Sequence, residues 1–399
     1  MNNKSRIALA IAAAFGTAAL GVSSGAIAQT SSVQIGGGLN MKYAVHKNTG
    51  GVSTAYKNSN NDHLSLQEPE MWIHGEEKIG GVTAWFRCSS SFDVTGGEAA
   101  GLCTRSSAIG LKGGFGNIYA GNWESANRPI YNAARGWFSG TDSLVGGFAN
   151  IMLGGSNSNK TNVTATAAGF VDRMQRTIRY DSPELGGFNL SASYTAANES
   201  TGLSTAASQG LTPRQFSLSG LYKNGPLFAG LAYSQHNDYN PATTAVAIGT
   251  GATQYNGGSD KNWMFTAGYT FNFGTRLSGF YTTTNFDVTN TTNLKKSGWA
   301  VFVDHALSGP HSIKAAYYKA GDSKGNSTLG TGVNSAPGAD TGAKGWNLGY
   351  MYTMSKRTSV GFMYSVIDND SGAAYGKGIQ TATLGQTQKV YGLHTRHSF

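Results

Sequence analysis

The chain has 399 residues, 39% of them hydrophobic, and beyond its N-terminal segment no apolar run approaches the roughly 18 residues of a membrane-spanning helix. Fifty-six glycines with only 8 prolines would suit a disordered chain, but 19 tyrosines, 18 phenylalanines and 7 tryptophans exclude that class. The formal net charge of +9 comes from basic residues scattered singly rather than gathered in a run or on a helix, which argues against nucleic-acid binding.

Residues 1–28 read as an export leader. Lys4 and Arg6 give a positive start, Ile7 to Leu20 is apolar and alanine-rich, and Ala26-Ile27-Ala28 is a small-x-small cleavage pattern. The mature chain is then 29–399, expected to be one domain.

From there the dominant signal is period two. Val33, Ile35, Leu39, Met41, Tyr43 and Val45 share one parity, while Gln34, Asn40 and Lys42 share the other. Trp263, Phe265, Ala267, Tyr269 and Phe271 alternate with Thr266, Gly268, Thr270 and Asn272, and Trp346, Leu348, Tyr350 and Tyr352 repeat the pattern. Segments of about ten residues with one apolar face cross a bilayer as tilted strands, and in lipid such strands must close on themselves. The fold class predicted is all-β, a transmembrane antiparallel β-barrel. Sixteen strands are predicted, at 32–46, 63–76, 82–91, 103–113, 116–123, 172–182, 186–196, 213–223, 226–236, 261–272, 275–286, 295–306, 311–321, 343–354, 358–368 and 388–399. Short turns such as Lys78-Ile79-Gly80-Gly81 and Asn224-Gly225 alternate with long polar connections such as 237–260 and 321–342. A bacterial barrel places short turns in the periplasm and long loops outside, and sixteen strands leave an aqueous lumen.

The connection from Trp123 to Phe170 is too long for an idle loop and is expected to fold inward and narrow the lumen, the alternative being a floppy external loop. Its carboxylates are Glu124 and Asp142, beside Arg128, Arg135 and Lys160. On parity, the polar inward set is Lys42, His74, Arg87, Arg105, Lys112, Arg173, Gln175, Arg179 and Lys314. Such a positive lining favours anions weakly, the alternative being that it only keeps the lumen hydrated.

Cys88 and Cys103 are the only cysteines, at either end of the loop joining strands three and four. Export to an oxidising compartment permits a disulfide if the hairpin register sets them opposite. Two separate small apolar residues near the rim are the alternative. No metal-ligand spacing, nucleophile elbow or phosphate-cradling glycine loop stands out, so neither an enzyme nor a cofactor is expected.

Several stretches resemble the general porins of beta-proteobacteria. Ser32-Val-Gln-Ile-Gly resembles their first strand, Gly80-Gly-Val-Thr-Ala-Trp-Phe their third, and Arg105-Ser-Ser-Ala-Ile-Gly-Leu-Lys-Gly-Gly-Phe-Gly their fourth with its turn. Arg173-Met-Gln-Arg-Thr-Ile-Arg-Tyr-Asp-Ser-Pro183 resembles the sixth. The ending Leu393-His-Thr-Arg-His-Ser-Phe399 resembles the terminal signature, closed by Phe399, that the outer-membrane assembly machinery reads.

The resemblance implies a passive outer-membrane channel for small hydrophilic solutes and ions, embedded among lipopolysaccharide and assembled as a homotrimer. It also implies basic side chains from strands two, four and six facing an acidic constriction loop. Arg105 and Arg173 stand at matching positions, whereas His74 replaces the second-strand arginine and the family's Pro-Glu-Phe-Gly loop motif is missing from 123–170. A substrate-specific anion channel, a surface receptor or adhesin, and a barrel hydrolase are the competing readings.

Overall fold

The structure, a computed structural model, describes residues 31–51, 60–66, 69–95, 101–135, 170–171, 173–196, 214–237, 259–287, 291–328, 336–376 and 382–399. The expected leader, Asp142 and Lys160 lie outside these residues. The strands are β1 (Ser31–Gly50), β2 (Asn60–Leu66), β3 (Glu70–Ile79), β4 (Val82–Ser90), β5 (Ser107–Gly113), β6 (Gly116–Glu124), β7 (Arg173–Asp181), β8 (Phe188–Thr195) and β9 (Arg214–Asn224). Then follow β10 (Leu227–Asn237), β11 (Ser259–Thr270), β12 (Thr275–Asp287), β13 (Asn293–Ala306), β14 (His311–Ala320), β15 (Lys324–Gly325), β16 (Ala343–Thr353), β17 (Thr358–Asn369) and β18 (Gln386–Ser398). One helix, α1 (Arg128–Arg135), occurs among the described residues.

Two of these segments are continuations rather than new spans. Both β2 and β3 pair with β1, at Met41–Lys47 and Ser31–Gly38 respectively. Likewise β15 extends β14 alongside β13. The described segments therefore make sixteen spans. β1 and β18 pair antiparallel from Gly38↔Ser398 to Gly50↔Gln386, so the sheet closes into a barrel. The terminal residue takes part, since Gly37 and Phe399 exchange backbone hydrogen bonds of 3.1 Å in both directions.

Strand ends fall close to expectation, and the departures have local causes. The predicted second strand is split near Pro69, which has no N–H to give to a ladder. The fourth begins at Ser107 instead of 103, because Cys103 sits at φ +57° and residues 101–106 leave the strand path. Arg105 therefore precedes β5. Tight turns are made where the backbone turns left-handed: Gly80 (φ +62°) joins β3 to β4, and Gly225 (φ +54°) joins β9 to β10.

The alternation resolves into two faces. Val33, Ile35, Ile109, Leu218, Leu231, Phe265, Leu348 and Phe362 are exposed on the outside. Asn40, Gln215, Ser217, Ser234, Asn262, Thr282, Asn347 and Gln388 share the opposite, shielded face. Near the long-loop end the outer face carries aromatic cross-strand pairs, Tyr233↔Trp263, Tyr281↔Trp299, Tyr317↔Trp346 and Tyr364↔Tyr391. Amphipathic rings of this kind settle at a membrane–water interface.

Candidate functional site

The polar inner face of β3 to β7 is a ladder of ion pairs. Glu70 accepts from Arg87 (2.9 Å) and from Ser89 (2.5 Å), and the Arg87 guanidinium lies 4.9 Å from the Trp72 ring centre. Arg105, just before β5, donates to the Pro69 carbonyl (3.2 Å) and to Ser91 (3.1 Å), beside the same carboxylate. Glu76 bonds His74 Nε2 at 2.8 Å and pairs with Lys112. Arg173 pairs with Glu124 at 3.2 Å, and its Nε donates to Ser106 at 2.8 Å. Five of the expected basic residues, His74, Arg87, Arg105, Lys112 and Arg173, are thus brought to one wall, and all but Arg105 pair with a carboxylate. Parity alone could have found Glu70 and Glu76, which share the parity of His74 on one strand. The expected inward set omitted them.

Arg179 has a different place. It is only 6% exposed, and two of its nitrogens grip Asp181 at 2.9 and 3.0 Å. Its Nη1 donates to the carbonyls of Glu124 and Ser125, at 3.0 Å each. Asp181 is further held by Tyr119 (2.8 Å) and Ser191 (2.5 Å). Arg179 therefore ties the departing end of the long connection to the wall. Gln175 is exposed, and Arg176 at φ +57° opposite the register shift between Gly121 and Trp123 breaks the alternation on β7.

The described ends of the long connection, 125–135 and 170–171, lie inside the barrel. Its two ends meet where Ser125 Oγ donates to the Phe170 carbonyl at 2.6 Å and Arg128 reaches Val171 O at 3.4 Å. Ser193 accepts from the Ala126 N–H (3.0 Å), and Ser219 donates to the Ala126 carbonyl (2.5 Å). On the returning end Phe170 stacks on His236 with ring centres 4.1 Å apart. These serines and the histidine are inner-face residues, so the segment lies against the lumen wall.

Helix α1 starts at Asn127, whose carbonyl takes the N–H groups of Ile130 and Tyr131, and Pro129 is tolerated in its first turn. Its apolar side, Ile130, Tyr131 and Ala134, is buried. Tyr131 meets Phe280 edge-on at 5.9 Å, and at Gly230 a side chain would strike Ile130. At the helix C-terminus Ser278 donates to the Ala134 carbonyl at 2.7 Å and Arg276 to that of Ala133, a favourable position for a cation. Arg135 bonds Asn132 and lies 4.5 Å from the Tyr131 ring centre. The rest of the long connection, 136–169, is outside the described residues.

The opposite wall is sparser. Lys42 on β1 stands in register with His394 on β18, and Lys314 on β14 faces Gly349 on β16. Lys296, which the expected set did not contain, lies 4.1 Å from the ring centre of Tyr375, a residue of the loop after β17. Its parity with Gly298, Ala300 and Phe302 was available in sequence. Cys88 and Cys103 are bonded at the external end of β4, with Cα atoms 4.6 Å apart.

A closed sixteen-span barrel, greasy outside and charged within, with a helix-bearing segment pinned inside, defines the outer-membrane porin architecture. The chain belongs to the Gram-negative porin family, whose model matches residues 8–372. Its place is the Gram-negative outer membrane. Among curated proteins it is similar to the major outer membrane protein P.IB of Neisseria lactamica, 25% identical over 209 residues, covering 52% of this chain and 54% of that protein. The Neisseria gonorrhoeae protein of the same name is 32% identical over 129 residues, 32% of each chain. The chain thus spans about half or less of the length of these relatives.

Among solved structures it shares its fold with an anion-selective porin from Comamonas acidovorans, at TM-score 0.70 and 20% identity, covering 93% of this chain and all of that one. The outer-membrane OmpT of Vibrio cholerae matches at TM-score 0.63 and 14% identity, covering 95% and 99%.

Proposed function

We propose that the protein is a passive, water-filled diffusion channel for small hydrophilic solutes and ions, with a weak preference for anions. The observation that carries this reading is the inner wall, where cations outnumber carboxylates while most of the charge on β3 to β7 is paired. Arg87, Lys112, Arg173, Arg179 and Arg276 each have a carboxylate partner, and Lys42, Lys296 and Lys314 add positive charge to the far wall. A lining of alternating sign screens itself, so the residual field is positive but small. The name of the Comamonas acidovorans relative agrees with that sign.

Selectivity is set by lumen width and by these fixed charges. The site residues are Lys42, His74, Arg87, Arg105, Arg173, Lys314 and Glu124 on the wall, Arg128 and Arg135 on the inward segment with Arg179 as its anchor, and Asp142, which lies outside the described residues. The reading requires no catalytic step and no cofactor. It includes a leader cleaved near Ala28, recognition of the Phe399 end by the outer-membrane assembly machinery, a lipopolysaccharide surround, and a homotrimer, a form that one Vibrio cholerae structure of this fold is named for.

Planar-bilayer recording of the purified protein tests the proposal. Stable ohmic steps with a small reversal potential of anion sign are expected in a salt gradient. Clear cation preference overturns the selectivity, absence of conductance overturns the channel, and saturable block by one solute replaces general diffusion with a specific site.

A further inference from the structure

A water-filled lumen calls for a polar inner wall, yet the arc from β13 to β17 turns apolar at its long-loop end. Leu294, Tyr318, Ala320, Ala343 and Ile367 hold the inward parity of their strands, and they are buried together with Ala373 and Tyr375 from the loop after β17. A side chain at Gly345 would strike the Tyr318 ring, so the glycine lets that ring lie along the wall. Apolar groups gain nothing by facing water, and a segment that covers them is held there.

The described part of the loop, 370–376 and 382–385, supplies the cover. The Asp370 N–H donates to the Gly342 carbonyl at 3.1 Å, and the Gly372 N–H to that of Asp340 at 2.7 Å. Asn369, the last residue of β17, holds Tyr375 by both backbone groups. Its Oδ1 accepts from the Tyr375 N–H at 2.7 Å, and its Nδ2 donates to the Tyr375 carbonyl at 3.0 Å. The returning arm closes on the outgoing one where the Gly385 N–H donates to the Ala373 carbonyl at 2.9 Å. The Tyr375 ring thereby reaches Lys296 on β13, whose Nζ lies 4.1 Å from the ring centre. That is three strand spacings, about 14 Å, from the root of the loop on β17. Lys296 is 3% exposed, and its ammonium has no hydrogen-bond or ion-pair partner among the described residues, only the face of that ring.

We propose that the loop after β17 is a second inward segment, latched by Tyr375, which narrows the outer mouth of the channel and masks Lys296 from passing solutes. Tyr375 is its positioning residue. Under the ring, Lys296 adds to the field of the wall but touches no solute; uncovered, it would be a contact site for anions. The second narrowing stands apart from the first. Ser278, which holds the C-terminal end of α1, is six residues further along β12 than Thr284, the register partner of Lys296. The two are therefore about 20 Å apart along the strand. With α1 against β10 to β12 and the loop against β13 to β17, solute is pushed toward the charged wall of β3 to β7. The inference rests on the channel reading and adds a size limit to it.

The test uses the full mature barrel refolded in detergent and reconstituted in liposomes and planar bilayers, as wild type, Y375A, Y375F and Y375A/K296M. Liposome swelling is read with neutral sugars from pentose to tetrasaccharide, and reversal potential in a potassium chloride gradient. Losing a fully buried ring shifts the balance between held and released loop by about a hundredfold or more, so Y375A is read in the released state. Its swelling rates are expected to rise, most of all for the largest sugars, and its reversal potential to move further in the anion direction. Y375F, which restores the ring, restores both. Y375A/K296M keeps the faster swelling and loses the shift in potential. Swelling by Y375A that matches wild type for every sugar overturns the second narrowing. Faster swelling with an unmoved reversal potential overturns the masking of Lys296. Heat-modified gel migration reports folding, and if Y375A does not fold, N369A, which frees both backbone groups of Tyr375, is read in the same two assays. A wild type without conductance or swelling sinks the channel reading itself, whereas a conducting wild type with an indifferent Y375A sinks only the role of the loop.

Discussion

Replacing Arg179 by methionine separates an anchor from a pore charge. Methionine keeps much of the side-chain volume but removes the two bonds from Nη1 to the Glu124 and Ser125 carbonyls, together with the pair to Asp181. Bonds from a charged donor contribute about 1.5–3 kcal/mol each, and lumen water can take over part of what the carbonyls lose, so a net loosening of about 2–4 kcal/mol is expected. That is about a thirtyfold to several-hundredfold shift toward states in which the start of the inward segment has left the wall. Asp181 keeps Tyr119 and Ser191, so the strand itself should hold. Single-channel recording should then show larger mean conductance and frequent transitions between levels. Levels as steady and as large as in wild type, with only the reversal potential moved, would refute the anchoring role and return Arg179 to the set of plain lumen charges.

Reduction of the Cys88–Cys103 bond, which closes a 15-residue separation, should lower stability by about 3 kcal/mol on chain-entropy grounds and leave conductance unchanged. Melting in detergent with and without reductant checks this, with no free thiol expected before reduction and two after. Gly392→Ala should weaken the closing seam, because the added carbon meets the Tyr43 carbonyl and lies 2.8 Å from the Ala44 Cα, backbone that cannot swing aside. A loss of about 1–3 kcal/mol or more is expected, read as a lower temperature of heat-modified gel migration. Asp370, in the loop after β17, is held above its ordinary range by burial and by Asp322, Asp340 and Asp368, with Lys344 opposing. A carboxyl that binds its proton more tightly when folded costs stability once ionised, and the cost vanishes as pH falls below the ordinary carboxyl value. Asp370→Asn should therefore raise the melting temperature near pH 7 and change nothing near pH 3. A stabilisation of equal size at both would exclude the charge as its cause.

The architecture was legible in sequence because a membrane barrel writes its two solvents onto alternate residues. The predicted strand at 275–286 is β12 at Thr275–Asp287, and that at 343–354 is β16 at Ala343–Thr353. The breaks were less legible, since they depend on single backbone events: Pro69 in the second span, Cys103 before β5 and Arg176 on β7. Parity assigns a face and nothing more. It set Arg87, Lys112, Arg173 and Arg179 inward, but what a lumen charge does depends on its neighbours across the sheet, and those are fixed by register. Lys112 on β5 reaches Glu76 on β3 across the intervening strand, with Thr83 of β4 paired to it. Arg179 finds Glu124 and Ser125 some fifty-five residues earlier in the chain because β6 and β7 are joined by the segment that it holds. A lone inward arginine raises the local anion concentration. The same arginine paired to a carboxylate mostly shapes the wall, and one buried under a loop sets how wide the lumen can be. The residue types could be read from the chain, whereas the division between selecting ions and limiting size came only from which groups the closed barrel sets within about 3 Å of one another.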